Sequence, residues 1–150
     1  MLNEQTIKQY VLKQLLKGYF LKGCEASPSK TAIRFDVFAI RTHWDKPSEV
    51  RIYEIKTSRR DFQTDKKWQK YLPYCTQFYF VAPEGAIKLE ELPEKIGLIE
   101  VSTTKHCEHE YIMHVFKRQC KRLREALDDK RYIELLEGIL GRYIKGAGKP

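Results

Sequence analysis

The chain lacks the features that would place it in a membrane, in a disulfide framework or in several common enzyme classes. No apolar run approaches the roughly 18 residues of a membrane-spanning helix, so no membrane partner is expected. Lysines interrupt the N-terminal stretch where a signal peptide needs apolar residues. Only four cysteines are present, scattered without a tight framework, which indicates reduced thiols in a cytoplasmic protein. The sequence shows no paired Cys and His spacing typical of a zinc site. It also shows no glycine-rich phosphate loop and no Ser–His–Asp arrangement.

Acidic residues are also in the minority. The 150 residues carry a net charge of +8, which implies an acidic partner, and nucleic acid fits better than a membrane surface. The length favours a single domain over residues 1–145, with 146–150 as a flexible tail. No internal repeat or low-complexity linker divides the chain.

The spacing of apolar residues predicts an α/β protein. A meander followed by a helical crossover predicts an α-β-β-β-α-β core, with a mixed central sheet flanked by helices and two further C-terminal helices. The predicted elements are helix 4–17, strands 19–25, 31–41 and 49–57, helix 59–72, strand 76–82, a short helix near 88–91, strand 97–101, and two amphipathic helices with apolar stripes over 112–127 and 132–143.

Two of these apolar strands carry charged residues that are candidates for a site. Asp36 lies in strand 31–41, and Glu54 and Lys56 lie near the end of strand 49–57. Because side chains alternate along a strand, Glu54 and Lys56 share one face. A buried carboxylate needs a partner, and either of two interpretations supplies one. The first is a plain ion pair at the end of the sheet, and the second is a Mg²⁺ site for phosphodiester hydrolysis, in which Lys56 offsets developing charge.

The order of these residues resembles a known nuclease pattern. Asp36, then seventeen residues, then Glu54-Ile55-Lys56 is similar to the D-x(n)-(D/E)-x-K pattern of the PD-(D/E)XK, or restriction-endonuclease-like, superfamily. A longer similarity over about 6–101 points to the MmcB-like branch, described as DNA-repair-associated. Its most specific part is Glu-x-Lys-x-Ser-x-x-Asp-Phe-x-x-Asp-Lys-Lys-Trp at 54–68. Phe35 replaces the proline of the motif's name.

The resemblance implies a metal-dependent nuclease that hydrolyses DNA, in repair or processing, and it implies roles for individual residues. Mg²⁺ or Mn²⁺ is the expected cofactor. The implied site comprises Asp36 and Glu54 as metal ligands, the Ile55 carbonyl as a further backbone ligand, Lys56 as the catalytic lysine, and Glu25 on the first strand as an accessory residue, with Glu4 as a weaker candidate for that last position.

Basic residues gather directly after the strand that carries Glu54. Residues 56–70 hold a net charge of +4, half that of the chain. Arg59 and Arg60 fall in the first turn of a helix, where the dipole disfavours cations, which suggests phosphate binding. A solvated basic face is the alternative, as is a bracing role for Asp65, Lys67, Trp68 and Tyr71. The predicted nucleic-acid-binding residues are Arg34, Arg59, Arg60, Lys66, Lys67 and Lys70, and the basic residues over 117–124 could extend this surface.

Two other functions remain open at this point. One is a non-catalytic DNA-binding or repair-accessory module that keeps the nuclease-like fold. The other is a structural protein that forms a homodimer through the two amphipathic C-terminal helices.

Overall fold

The computed structural model describes residues 2–19 and 21–147. In chain order the elements are helix α1 (Glu4–Tyr10), continued by a π-helical segment (Val11–Leu15), strands β1 (Leu21–Ala26), β2 (Phe35–Arg41) and β3 (Glu49–Ile55), helix α2 (Arg59–Thr64), a 3₁₀ helix (Trp68–Tyr74), strand β4 (Gln77–Pro83), a short 3₁₀ helix (Leu89–Glu91), strands β5 (Gly97–His106) and β6 (His109–Arg118), and helix α3 (Asp129–Ala147).

The strands form a six-stranded open sheet in the order β1-β2-β3-β4-β5-β6. The β3–β4 and β4–β5 pairs are parallel and the others are antiparallel. The parallel β3–β4 pair follows from the crossover through α2 and the 3₁₀ helix, since parallel neighbours cannot be joined by a tight turn. The predicted α/β class with a mixed sheet and flanking helices is confirmed.

Helices cover both faces of this sheet. On one face, Ile7 and Val11 of the N-terminal helix pack against a fully buried layer that includes Val37 and Val81. On the other face, the crossover and α3 cover the aromatic centre of the core, where Trp68 packs edge-on against Phe80 with ring centroids 5.1 Å apart. The site described below lies on this second face, where β2 and β3 reach α2.

The prediction of the first C-terminal helix, over 112–127, is wrong. Residues 109–118 form strand β6, which pairs with β5 from Leu98 to His106, and residues 119–128 form no regular helix. The predicted stripe stepped by four residues from Ile112 to Phe116 and Cys120. A step of four is a multiple of the two-residue strand period, so Ile112 and Phe116 also share one face of strand β6. Only the second helix forms, as α3.

The predicted helix 59–72 is shorter than expected. It ends at Thr64, and Asp65 adopts an extended conformation with φ −76° and ψ 116° before the 3₁₀ helix begins at Trp68. The Asp65 side chain accepts a hydrogen bond from the Lys67 backbone nitrogen at 2.7 Å, a local bond that competes with helix continuation. This interruption points Asp65 into the site.

The chain termini add two observations. The predicted tail at 146–150 starts inside α3, which runs to Ala147, and residues 148–150 lie outside the described part of the chain. Over residues 2–19 and 21–147, no helix is both long and apolar enough to cross a membrane.

Candidate functional site

Asp36 and Glu54 lie across from each other on neighbouring strands. The antiparallel β2–β3 register pairs Val37 with Tyr53, and its continuation by one residue sets Asp36 opposite Glu54. The Asp36 Oδ2 accepts a hydrogen bond from the Ile55 backbone nitrogen at 2.8 Å. That bond fixes the Asp36 carboxylate beside the end of β3, so both predicted acidic ligands meet at one point of the sheet.

Glu54 is buried with one oxygen unsatisfied. The residue is 5% exposed, and its Oε1 has no hydrogen-bond partner. Burial, together with the neighbouring Asp36 carboxylate, raises the pKa of Glu54 from 4.5 to about 9. A lone buried carboxylate oxygen is costly. The site is therefore electrostatically incomplete and favours a proton or a cation at this oxygen.

Lys56 lies on the same face, two residues after Glu54, and is also buried at 6% exposure. Its Nζ is 2.6 Å from Asp65 Oδ2 and 3.8 Å from Glu54 Oε2. Burial alone would lower the pKa of Lys56, but the hydrogen bond to Asp65 and the nearby carboxylates raise it overall, so the ammonium stays charged. The predicted lysine is therefore in the site, and its shorter contact is with Asp65.

Asp65 belongs to the site although the predicted set of functional residues omits it. Burial would raise its pKa, but the hydrogen bonds from Lys56 and from the Lys67 backbone lower it below its usual value. The sequence offers one signal for this role: Asp65 is an acid within the basic segment 56–70, nine residues after Lys56. The bracing interpretation of Asp65 named it without identifying its partner.

Tyr71 forms an aromatic side of the site. Its ring packs edge-on against Phe35, with centroids 5.8 Å apart. Partial burial and the charges of Glu54, Asp65 and Asp36 raise the pKa of Tyr71 to about 12. The phenol therefore stays protonated and can act only as a neutral hydrogen-bonding group.

A second buried lysine, Lys8, forms a separate cluster with Glu25 and Glu4. Lys8 of α1 is 3% exposed, and its Nζ is 3.0 Å from Glu25 Oε1 and 3.7 Å from Glu4 Oε1. Burial would lower the pKa of Lys8, but Glu25, Glu4 and, more weakly, Asp36 raise it overall. The sequence interpretation missed Lys8, because only its position beside Ile7 and four residues after Glu4 distinguishes it.

The predicted accessory residue Glu25 is held by several cations. Besides Lys8, Arg34 Nη2 is 2.9 Å from Glu25 Oε2, and Arg142 donates to its backbone carbonyl. The hydrogen bond and charge of Lys8, and to a lesser extent Arg34, hold the pKa of Glu25 below its usual value. Glu25 has φ +57°, a left-handed conformation that is uncommon for glutamate. Its carboxylate is thus committed to ion pairs.

The predicted nucleic-acid-binding residues fall into two groups. Arg59 is bound by both carboxylate oxygens of Glu91 at 2.9 Å and by the Ala86 carbonyl at 3.1 Å, and Arg34 is bound by Glu25 as described above. The remaining four are exposed and make no ion pair with any residue in the described part of the chain: Arg60, Lys66, Lys67 and Lys70.

The basic residues at 117–124, by contrast, all have partners within the described part of the chain. Arg118 donates to carbonyls of Leu89, Pro93 and Ile96 at 2.9–3.3 Å, and Arg124 donates to the carbonyls of Leu72 and Cys75. Ion pairs engage the others, which are Lys117 with Glu100, Lys121 with Glu94, and Arg122 with Glu49. Their contribution to a phosphate-binding surface stays a prediction, and any phosphate would compete with these contacts within the chain.

The acidic pair suits a hard divalent ion that needs few protein ligands. Among the described residues, no three His, Cys, Asp or Glu side chains converge as a metal-binding group. Asp36 and Glu54 are therefore the two carboxylates available. Mg²⁺ is commonly held by one or two carboxylates and keeps several waters. The unpaired Glu54 Oε1 beside a second carboxylate fits such an ion.

Comparison with known proteins gives one family and one related fold. The family described as "DNA repair protein MmcB-like" matches residues 13–130, a range that includes Asp36, Glu54, Lys56 and Asp65. A solved protein of unknown function from Silicibacter pomeroyi has a TM-score of 0.71 and 22% identity, with 98% of this chain and 90% of that chain covered. At that identity the likeness shows the fold alone. No curated protein matches the chain significantly.

Proposed function

The chain belongs to the MmcB-like family of DNA repair proteins, and on that premise we propose that it is a divalent-metal-dependent nuclease that hydrolyses DNA phosphodiester bonds. We further propose that it belongs to the PD-(D/E)XK superfamily, with Asp36 and Glu54 as metal ligands and Lys56 as the catalytic lysine. A role in DNA repair is what the family description itself suggests.

One observation carries the proposal: the buried, unpartnered Glu54 Oε1 next to Asp36. A structural ion pair would satisfy its own oxygens, since breaking or leaving open a buried charge is expensive. Here the nearest cation, Lys56 Nζ, is 3.8 Å from the other Glu54 oxygen and contacts Asp65 instead. The arrangement is stable as a protonated pair and becomes satisfied when a cation replaces the proton.

The residues divide the work of hydrolysis among them. Asp36 and Glu54 would hold Mg²⁺ or Mn²⁺, and the Ile55 carbonyl stays a predicted third ligand. The bound ion supplies Lewis-acid polarisation of the phosphoryl group. Lys56 keeps its positive charge in a buried position, where it stabilises negative charge that develops on the phosphate. Arg60, Lys66, Lys67 and Lys70 offer exposed charge for the DNA backbone.

A cleavage assay tests this function. The full chain is incubated with labelled single-stranded and duplex DNA in Mg²⁺, in Mn²⁺ and in EDTA. We expect metal-dependent cleavage that Asp36→Asn and Glu54→Gln each reduce by about 10³-fold or more. Both substitutions remove a carboxylate that could bind a metal while keeping the side-chain shape, and Asp36→Asn retains an acceptor for the Ile55 nitrogen. Asp45→Asn, at an exposed acid in the loop between β2 and β3 and at the opposite end of these strands from the site, serves as the matched control. Cleavage that survives both site substitutions contradicts the proposal.

A non-catalytic DNA-binding or repair-accessory role is the second candidate. It is favoured by the Lys56–Asp65 contact of 2.6 Å, which commits the lysine, and by the small number of acidic groups at the site. This role predicts DNA binding that weakens with salt and survives Glu54→Gln, with no cleavage by the wild-type chain in either metal.

A further inference from the structure

The Asp65 carboxylate joins the buried lysine of the site to an exposed basic loop. Its Oδ2 is 2.6 Å from Lys56 Nζ, and its Oδ1 accepts the Lys67 backbone N–H at 2.7 Å. The side chain is only 10% exposed, so these contacts are screened little by water. One carboxylate therefore links the position of the Lys56 ammonium to the backbone path of residues 65–67.

The loop that Asp65 begins carries free positive charge. Residues 65–67 separate α2 from the 3₁₀ helix and have no regular structure of their own. Lys66 and Lys67 are exposed, Lys70 follows one turn later, and none of the three is paired with a described acidic side chain. These are the side chains that a DNA phosphate would meet first on this side of the site.

Both ends of this loop are held in place, so a bound phosphate can move the backbone only within the loop. Trp68 is 6% exposed and packs on Phe78 and Phe80 with ring centroids 5.8 Å and 5.1 Å apart. At the other end, the α2 cap bonds the Asp65 nitrogen to the Phe62 carbonyl at 3.3 Å. A displacement of Lys66 or Lys67 by a bound phosphate is therefore taken up within residues 65–67, where the Asp65 carboxylate lies.

Lys56 lies near two acids, Asp65 and Glu54, and its ammonium is held closer to Asp65. The ammonium is 1.2 Å closer to Asp65 than to Glu54, from the distances of 2.6 Å and 3.8 Å. A change in the Asp65 position thus changes where the Lys56 ammonium lies relative to Glu54. We propose that Asp65 is a positioning residue that transmits phosphate contact at Lys66, Lys67 and Lys70 to Lys56. The inference rests on the proposed function and adds to it a means by which DNA binding orders the lysine.

Side-chain NMR of lysine ammonium groups tests this link without cleavage. The full chain, labelled with ¹⁵N and kept in EDTA, is titrated with a single-stranded oligonucleotide of about ten nucleotides. Lys56→Arg assigns the Lys56 signal. We expect saturation with the oligonucleotide to shift that signal in the wild type, and Asp65→Asn to reduce the shift by about fivefold or more. Asp45→Asn, at an exposed acid in the loop between β2 and β3, is the control and should keep the wild-type shift.

A surface variant covers the case in which Asp65→Asn unfolds the chain. Lys66→Ala combined with Lys67→Ala leaves the buried contacts intact and should remove the Lys56 shift even at oligonucleotide concentrations that restore saturation. A Lys56 signal that does not move in the saturated wild type, or that moves equally in Asp65→Asn, overturns the inference.

The same titration separates this inference from the proposed function. Oligonucleotide binding without a Lys56 response refutes the Asp65 link and leaves nuclease activity to the cleavage assay. A Lys56 response in a chain that never cleaves DNA supports the link and refutes the nuclease. A chain that binds no oligonucleotide refutes the link at its first step.

Discussion

Two buried lysines, Lys56 and Lys8, each lie near two acids at similar distances, but the acids of the two clusters differ in how fully their charges are paired. Lys56 has acids at 2.6 Å and 3.8 Å, and Lys8 has acids at 3.0 Å and 3.7 Å. Both lysines are less than a tenth exposed. The acids differ: the Glu54 side chain is 7% exposed, whereas that of Glu25 is 37% exposed.

Differences in exposure and in neighbouring charges give the two clusters opposite electrostatics. Around Lys8, Arg34 adds a further positive charge to Glu25, and the pKa of Glu25 is lowered. Around Lys56, a second carboxylate lies beside Glu54 and the pKa of Glu54 rises to about 9. The Lys8 cluster is a completed ion-pair network, and the Lys56 cluster requires a proton or cation. The unsatisfied Glu54 carboxylate, and not the buried lysine with two acids, is therefore the feature on which the proposed site rests.

The largest contrast between the clusters is expected in DNA cleavage. Lys56→Met removes the charge that faces the developing phosphate charge, so the rate should fall by about 10³-fold. Lys8→Met removes a cation that Glu25 and Glu4 already neutralise, and its effect should stay below about tenfold. Initial rates with Mn²⁺ measure both, with circular dichroism confirming that each variant is folded. Equal losses in the two variants would erase the proposed distinction.

The fold and part of the site could be predicted from the sequence for local reasons. Strands β2, β3 and β4 are short runs rich in β-branched and aromatic residues, so their existence follows from composition and from the flanking turns. The shared face of Glu54 and Lys56 follows from the strand period. The segment around Ile112 was mispredicted because a four-residue spacing suits both a helix and a strand.

The remainder of the site depends on tertiary contacts. Lys8 meets Glu25 across seventeen residues, and nothing in the local pattern of α1 selects that partner. The orphaned Glu54 oxygen is a property of the packed site, since only the fold determines which cations come near it. The same holds for the basic residues, whose ion pairs with distant acids decide which charges remain free.

The pH dependence of stability should differ in sign between Glu54 and Glu25. With its pKa raised from 4.5 to about 9, Glu54 keeps a proton in the folded chain that the unfolded chain releases. The free energy of unfolding therefore falls as pH rises through that window. Glu54→Gln removes this loss. The difference in the free energy of unfolding between the variant and the wild type should therefore shift in favour of the variant by more than about 2 kcal/mol from pH 5 to pH 9.

Glu25 should contribute a pH dependence of stability that is opposite in sign and smaller in size. Its lowered pKa means that stabilisation is present above the usual glutamate value and is lost as pH falls through the folded-state pKa. Because the Glu25 side chain is partly exposed, Glu25→Gln should lower the free energy of unfolding by less than about 1 kcal/mol. The loss should be seen only at pH values above the usual glutamate pKa. Urea unfolding of both variants in EDTA across pH measures these slopes. Parallel curves for Glu54→Gln and wild type would remove the electrostatic argument for the site.

The smallest contrast is expected among surface cations near the two clusters. Lys67 carries no ion pair with a described residue, and Arg34 is bound by Glu25 at 2.9 Å. Lys67→Ala should weaken binding of single-stranded DNA by about threefold and reduce the slope of log affinity against log salt by about 0.7. Arg34→Ala should change the affinity by less than about twofold. Fluorescence anisotropy at several salt concentrations compares them, and a larger loss for Arg34→Ala would show that its ion pair opens to DNA.

The claim that the Asp36–Glu54 pair binds a divalent cation is tested most directly by crystals of the full chain grown or soaked with Mn²⁺. Anomalous scattering at the manganese edge then locates the ion. The account predicts one peak within about 2.5 Å of a carboxylate oxygen from each of Asp36 and Glu54, and no peak in Glu54→Gln. A peak at Glu25 instead, or none near Asp36 and Glu54 at saturating Mn²⁺, would contradict it.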